Sequence, residues 1–179
     1  MTPAEVTSNQ LDVPKPGRYT ISPAHSTVTI RTRHMFGLGA VRATLALRDG
    51  RILVTRSPEA SHVQARFAVP SFASGNDARD AAVLSPKLLD AESYPSLSFI
   101  STELVNEHGQ WSLRGELEVR GVTRQVEARI DALVSDGATL RANAQVSIDR
   151  YDFGITAYRG LAARTLTVDL GIIAYREES

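Results

Sequence analysis

The feature that most constrains this chain is an alternation of apolar and polar or small residues that recurs along most of its length. Apolar residues occupy every second position over residues 41–47, 126–134, 140–148 and 166–174. Because successive side chains of a strand point to opposite faces, this period predicts antiparallel strands with one apolar face and one wet face. Such strands must bury their apolar faces against one another, which a closed barrel or a two-sheet sandwich achieves.

Glycine-containing turns separate the predicted strands, at Asp49-Gly50, His108-Gly109, Gly121 and Asp136-Gly137. Short turns between long strands favour a barrel over a sandwich, so we predict an all-β fold, an extended antiparallel β-barrel of about eight strands. A barrel of this size has an interior that side chains fill or that holds one small ligand.

One segment breaks the alternation and predicts a short helical insertion. Ser74 or Asn76 can cap the free N–H groups of a helix that begins there. Asp77 and Asp80 then fall in the first turn, where the helix dipole favours negative charge. The helix ends before Ser85-Pro86, because proline cannot continue it.

Length and composition set the remaining limits. The chain of 179 residues fits one domain, predicted over residues 18–176, after a flexible polar leader over residues 1–17. Lysine and arginine total 20, as do aspartate and glutamate, so no basic field favours nucleic acid. No cysteine is present, which excludes disulfides and thiolate chemistry.

The first ten residues carry neither a basic region nor an apolar run, so we expect no signal peptide and a cytoplasmic protein. No apolar run approaches the ~20 residues that span a bilayer, so no integral membrane segment is expected.

Many of the predicted inward positions are small, which allows two interpretations. Small residues on several strands would leave an elongated apolar cavity for a long apolar ligand. Alternatively, the alanines lie where the barrel tapers or where the helix packs. The residues concerned are Ala43, Ala65, Ala128, Ala132, Ala142, Ala144 and Ala174.

The chemically reactive residues give no strong catalytic or metal signal. The four histidines His25, His34, His62 and His108 have no metal-ligand spacing, and no GxSxG nucleophile motif is present. We therefore predict no metal and no catalytic residue. An alternative is an enzyme acting on an apolar substrate, with His34 and Arg79 or Asp80 as acid–base groups. A third hypothesis is an interaction protein that offers its barrel faces to a partner.

Two polar clusters, over residues 75–80 and 150–154, are denser in functional groups than any other part of the chain. An arginine–aspartate pair can form a bidentate ion pair that holds a helix to a barrel. The other interpretation is a polar rim that recognises the head group of a ligand. His34, at the end of a predicted strand, could line the same mouth.

An ordered set of short motifs resembles the YceI-like family from about Arg18 to Tyr175. Each motif is weak alone, and their order is specific. The motifs are Ala24-His25-Ser26, Arg33-His34, Gly75-Asn76-Asp77-x-Arg79-Asp80, Asp90-x-x-x-Tyr94-Pro95-x-x-x-Phe99-x-Ser101, Gly115-x-Leu117, Arg120-Gly121-Val122-Thr123 and Arg150-x-Asp152-Phe153-Gly154.

This resemblance implies a lipocalin-like barrel that binds a polyprenyl or isoprenoid-quinone chain in its interior, as a non-catalytic carrier or store. It implies no cofactor other than that bound lipid or quinone, and a homodimer is expected. Many members of the family are periplasmic and carry a signal peptide. The predicted ligand-binding residues are Val28, Ile30, His34, Val41, Ala43, Leu45, Phe67, Asn76, Arg79, Asp80, Phe99 and Phe153.

Overall fold

A computed structural model describes residues 11–34 and 38–178 of the chain, with the side chain of His34 outside the described part. These residues form β1 (Gly17–Ile21), β2 (Thr27–His34), β3 (Gly39–Val54), β4 (His62–Ala73), α1 (Asp77–Leu84), β5 (Ser96–Glu107), β6 (Gln110–Val119), β7 (Val122–Ser135), β8 (Thr139–Asp149) and β9 (Thr165–Arg176). Two 3₁₀ helices span Pro58–Ala60 and Arg150–Phe153.

The described strands form one antiparallel sheet that closes on itself. Each strand from β3 onward pairs with the next strand along the chain. β1 and β2 follow one another in a single position of the sheet, because both pair with β3 on one side and β9 on the other. The described part is therefore a closed barrel of eight strand positions. This confirms the predicted all-β barrel with a short helical insertion.

Three of the predicted turns join neighbouring strands. His108-Gly109 and Arg120-Gly121 have positive φ at both residues, 53° and 86° in the first turn and 51° and 73° in the second. This geometry matches the right-handed twist of the hairpins that they close. In the third turn the Asp136 carboxylate accepts hydrogen bonds from the N–H groups of Ala138 and Thr139.

The predicted turn at Asp49-Gly50 is wrong, because both residues lie inside the 16-residue strand β3. The register with β4 shifts between Leu47 and Asp49, and buried positions change there from odd to even residues. A β-bulge thus interrupts the alternation without ending the strand. A Cβ at Gly50 would lie 2.7 Å from the terminal methyl of Ile21 and 3.1 Å from the Gln64 carbonyl, so any larger residue there would displace the Ile21 side chain.

A bulge in β7 also corrects the predicted inward positions. The register with β8 shifts between Ile130 and Ala132, and beyond it Leu133 rather than Val134 reaches the barrel interior. One extra residue moves every later side chain of a strand to the other face. The sequence alternation continues across this point, which is why sequence alone assigned Val134 inward.

One end of the barrel, here called the leader end, has a cluster of buried apolar side chains. Tyr19, Ile21, Leu47 and Ala174 are buried there in one hydrophobic cluster. The Tyr19 hydroxyl donates a hydrogen bond to the carbonyl of Lys15 at 2.8 Å, which satisfies its polar atom.

Residues 11–17 of the predicted leader run along this end. The N–H of Asp12 donates to the Leu133 carbonyl at 2.8 Å, and the Arg176 guanidinium donates to the Pro16 carbonyl at 2.7 Å. β1 begins at Gly17, one residue before the predicted domain boundary. The rest of the predicted leader, residues 1–10, lies outside the described residues.

The opposite end, here called the helix end, carries α1 and the 3₁₀ helix Arg150–Phe153. Asn76 caps α1, since its side-chain oxygen accepts a hydrogen bond from the Arg79 N–H at 2.9 Å. Asp77 and Asp80 lie in the first turn and Ser85 follows the last, as predicted.

We expect Gly115→Ala to lower the free energy of unfolding by about 2 kcal/mol, the usual cost of overpacking. A Cβ at Gly115 would lie 2.5 Å from both the Ile100 carbonyl and the Phe99 ring. Gly171→Ala is the comparison variant and should cost less, because its Cβ would lie 2.7 Å from the Thr27 hydroxyl but meet no backbone carbonyl. Urea unfolding measures both variants, and equal midpoints for the two would contradict the prediction.

Candidate functional site

An elongated cavity of about 560 Å³ runs through the barrel between its two ends. Along β3 its lining extends from Val41 to Val54, which are 54 − 41 = 13 residues apart. At ~3.3 Å per residue and a strand tilt of ~45°, that separation corresponds to roughly 30 Å along the barrel axis. The volume is within the range of known ligand pockets.

Small side chains create this space, as one of the two interpretations predicted. Five of the alanines that line it lie on β3, β4, β7 and β8. They are Ala43, Ala65, Ala128, Ala142 and Ala144. Ala132 and Ala174 are buried but do not line the cavity, so for these two the packing interpretation holds.

Most of the predicted ligand-binding residues lie on the cavity wall. These are Val28, Ile30, Val41, Ala43, Leu45, Phe67, Arg79, Phe99 and Phe153. They come from six different elements, and the closure of the barrel brings them together. The side chain of His34, also predicted, lies outside the described residues.

Asn76 and Asp80 do not line the cavity but organise the start of α1. The Asp80 carboxylate accepts hydrogen bonds from the backbone N–H and the hydroxyl of Ser74. Arg79 donates to the same hydroxyl and to the Ser74 carbonyl. Ser74 thus links the end of β4 to the helix. The sequence suggested a direct arginine–aspartate pair, and in the structure Arg79 and Asp80 both bond Ser74 instead.

The two ends of the cavity differ in chemistry. At the leader end the lining is apolar, with Leu11, Leu104, Trp111 and Leu133 among its residues. All charged residues that line the described cavity are arginines, namely Arg33, Arg79 and Arg150. Arg79 lies on α1 and Arg150 begins the 3₁₀ helix, so these two belong to the helix end.

Arg150 is the most buried charged residue of this end, with 6% of its surface exposed. Its guanidinium donates to the carbonyls of Ile155, Ala162 and Ala163, at 2.9, 3.2 and 2.9 Å. These bonds fix the loop over residues 155–163, which follows the 3₁₀ helix and contributes to the cavity lining. Burial lowers the pKa of Arg150 from its ordinary value, since the interior disfavours the charged form.

Further arginines surround the neighbouring Tyr151 ring. The guanidinium carbons of Arg150, Arg159 and Arg164 lie 5.1, 5.1 and 4.8 Å from its centroid. Arg164 also forms a 2.7 Å ion pair with Asp149. The carboxylate that precedes Arg150 in the chain is therefore engaged by another arginine.

Sequence reasoning missed several lining residues. Leu11 lies in the segment that the sequence predicts as a leader, and Trp111 and Leu161 belong to none of the sequence motifs. Arg150 stood in a motif but was not chosen as a binding residue, because its burial depends on the loop over residues 155–163. Its place at the start of a dense polar cluster was the one available signal.

Within residues 11–34 and 38–178, no group of three or more histidine, aspartate and glutamate side chains could hold a metal ion. Among the side chains that the structure describes, which do not include that of His34, no carboxylate or imidazole lines the cavity. No helix of the described chain has the length and apolar character needed to cross a bilayer.

Comparison with known proteins gives a consistent result. The family model of the YceI-like domain matches residues 19–174. A UPF0312 protein from Pseudomonas putida is 26% identical over 161 residues, which cover 86% of this chain and 83% of that protein.

Two solved structures share the fold. Burkholderia cenocepacia BcnA superposes with a TM-score of 0.75 at 18% identity, covering 86% of this chain and 98% of BcnA. A polyisoprenoid-binding domain from Saccharophagus degradans superposes with a TM-score of 0.64 at 11% identity, covering 89% and 98%.

We expect Arg150→Met to lower the free energy of unfolding by about 3 kcal/mol, because it leaves carbonyls without donors. Arg159→Met is the matched control: Arg159 is exposed and contacts the same Tyr151 ring. Its effect should stay within about 0.5 kcal/mol. Chemical unfolding measures both, and equal stabilities would show that the three carbonyl bonds contribute little.

Proposed function

Because the chain belongs to the YceI-like family, we propose that it binds a long isoprenoid lipid in its barrel and carries or stores that lipid without altering it. The ligand is a polyprenyl chain or the tail of an isoprenoid quinone. The Saccharophagus degradans neighbour, a polyisoprenoid-binding domain of the same fold, supports this class of ligand.

The observation that carries the proposal is the long apolar cavity. The cavity continues past the hydrophobic cluster of the leader end, and alanines on four strands keep the space open along the barrel. A core that served stability alone would be packed to interior density with larger residues. A ligand as long and flexible as an isoprenoid matches the shape and polarity of this space.

Burial of the tail supplies the affinity in this proposal. Each methylene-sized group removed from water contributes about 0.8 kcal/mol, so several five-carbon units give a large favourable term. Ordering the flexible chain and restricting its motion offset part of that gain. Polar groups at the helix end then orient the ligand more than they hold it.

The acid–base alternative has less support. Arg79 lines the cavity, whereas the Asp80 carboxylate is bonded to Ser74. An acid–base pair would need two titratable groups within reach of one substrate atom. The homodimer and the cytoplasmic location stay predictions.

The direct test is the identity of the molecule that co-purifies with the protein. Protein purified without detergent is extracted with organic solvent, and the extract is analysed by mass spectrometry. The proposal expects a lipid with the mass pattern of repeated isoprene units. Protein that is empty and that fails to bind added isoprenoids would contradict it.

A cavity-blocking variant tests the location of the ligand. Ala144 lines the cavity, and we expect Ala144→Phe to weaken the binding of geranylgeraniol at least tenfold, because the ring occupies the space of the tail. Ser147→Phe is the matched control, on the same strand but exposed on the outer face. Equal affinities of the two variants would place the ligand elsewhere.

A further inference from the structure

The charges at the helix end of the cavity are of one sign. Arg33, Arg79 and Arg150 line it, and no aspartate or glutamate from residues 11–34 and 38–178 does. The rest of the lining is almost entirely apolar. An isoprenoid alcohol or a neutral quinone ring needs only hydrogen-bond donors at this place, which neutral side chains would also supply.

Arg150 carries a buried positive charge with no described carboxylate among its hydrogen-bond or ion-pair partners. Its three hydrogen bonds go to backbone carbonyls, and the nearby Asp149 carboxylate pairs with Arg164 at 2.7 Å. Arg159 adds a further positive charge beside the Tyr151 ring. The Asp152 side chain is exposed to solvent, outside the buried surroundings of Arg150. Burying a charge in an apolar site is costly unless an opposite charge accompanies it.

The Arg79 guanidinium has N–H donors beyond those that its hydrogen bonds to Ser74 use. Its Nε donates to the Ser74 hydroxyl at 2.8 Å and its Nη2 to the Ser74 carbonyl at 3.2 Å. Nη1 makes none of the hydrogen bonds found within the described chain. The Ser74 contacts hold one edge of the guanidinium, which orders the group while leaving other N–H donors available.

The elements that carry Arg79 and Arg150 pack against one another. Leu88 and Leu89, which follow α1, belong to the same hydrophobic cluster as Phe153 and Ile155, which follow Arg150. Arg33 reaches the same place through its backbone, because its carbonyl accepts the Ala163 N–H while the Ala163 carbonyl accepts Arg150 Nε. The barrel thus gathers arginines from three separate segments at one end.

We propose that this end of the cavity binds the phosphate head group of an isoprenoid lipid. The inference rests on the proposed function, since it concerns the head of the lipid whose tail fills the cavity. Guanidinium groups stay charged at any physiological pH and match the planar, bidentate geometry of phosphate oxygens. The apolar leader end then receives the tail, so the lipid enters in one direction only.

The test compares two probes with the same tail, geranylgeranyl monophosphate and geranylgeraniol. Binding to the full chain is measured by competition with a fluorescent fatty probe. We expect the monophosphate to bind at least tenfold more tightly than the alcohol. Equal affinities would overturn the head-group inference and leave the lipid proposal intact, whereas failure of both probes to bind would overturn the lipid proposal itself.

A binding measurement with inorganic phosphate tests whether the arginines recognise a lipid head group or a free anion. Without a tail, inorganic phosphate should bind at least a hundredfold more weakly than geranylgeranyl monophosphate. Tight binding of inorganic phosphate, unaffected by geranylgeraniol, would instead make the arginines a site for a free anion and would overturn the inference.

Substitutions of single arginines test whether these residues cause the preference for the monophosphate. Arg79→Gln and Arg150→Gln should each reduce the affinity ratio of monophosphate to alcohol at least fivefold. Arg51→Gln removes an equal charge from the exposed outer face of β3 and should keep the wild-type ratio. If Arg150→Gln does not fold, Arg79→Gln still decides, because an unchanged ratio in that variant overturns the inference.

Discussion

The structure depends on the hydrogen-bonded closure between β9 and the position that β1 and β2 share. Without that seam, the apolar faces of the strands would meet water along one edge, and the sheet would expose unpaired N–H and C=O groups. β1 closes the leader end against β3 and β9, and β2 closes the rest of the barrel against the same two strands. Closure also converts a flat set of inward side chains into the wall of a cavity.

Each end of the barrel has its own stabilising contacts, and the cavity runs between the two ends. Large side chains such as Tyr19, Ile21 and Leu47 form a hydrophobic cluster at the leader end, and alanines widen the cavity that passes through the barrel. At the helix end, Arg150 replaces apolar packing with hydrogen bonds to three carbonyls. A cavity that is apolar at one end and cationic at the other distinguishes the two ends of an elongated amphiphile.

The sequence predicted the barrel correctly, because period-two alternation directly reports the two faces of a strand, and nine of the twelve predicted ligand-binding residues line the cavity. It failed at Asp49-Gly50 and at Val134, where bulges shift the alternation by one residue. A bulge is hard to recognise in one sequence, since it resembles either a turn or an uninterrupted strand. Asn76 was predicted both as a helix cap and as a binding residue, and the structure supports the cap.

The sequence by itself determined the strands, their apolar faces up to the two bulges, three of the tight turns and the small residues inside, because these follow from local alternation and local backbone geometry. Only the tertiary structure decided that Leu11 joins the cavity wall and that Arg33, Arg79 and Arg150 meet at one end. Those residues are distant in the chain, and only the closure of the barrel and the loop over residues 155–163 bring them together. Burial of a charge such as Arg150 is a property of that enclosure.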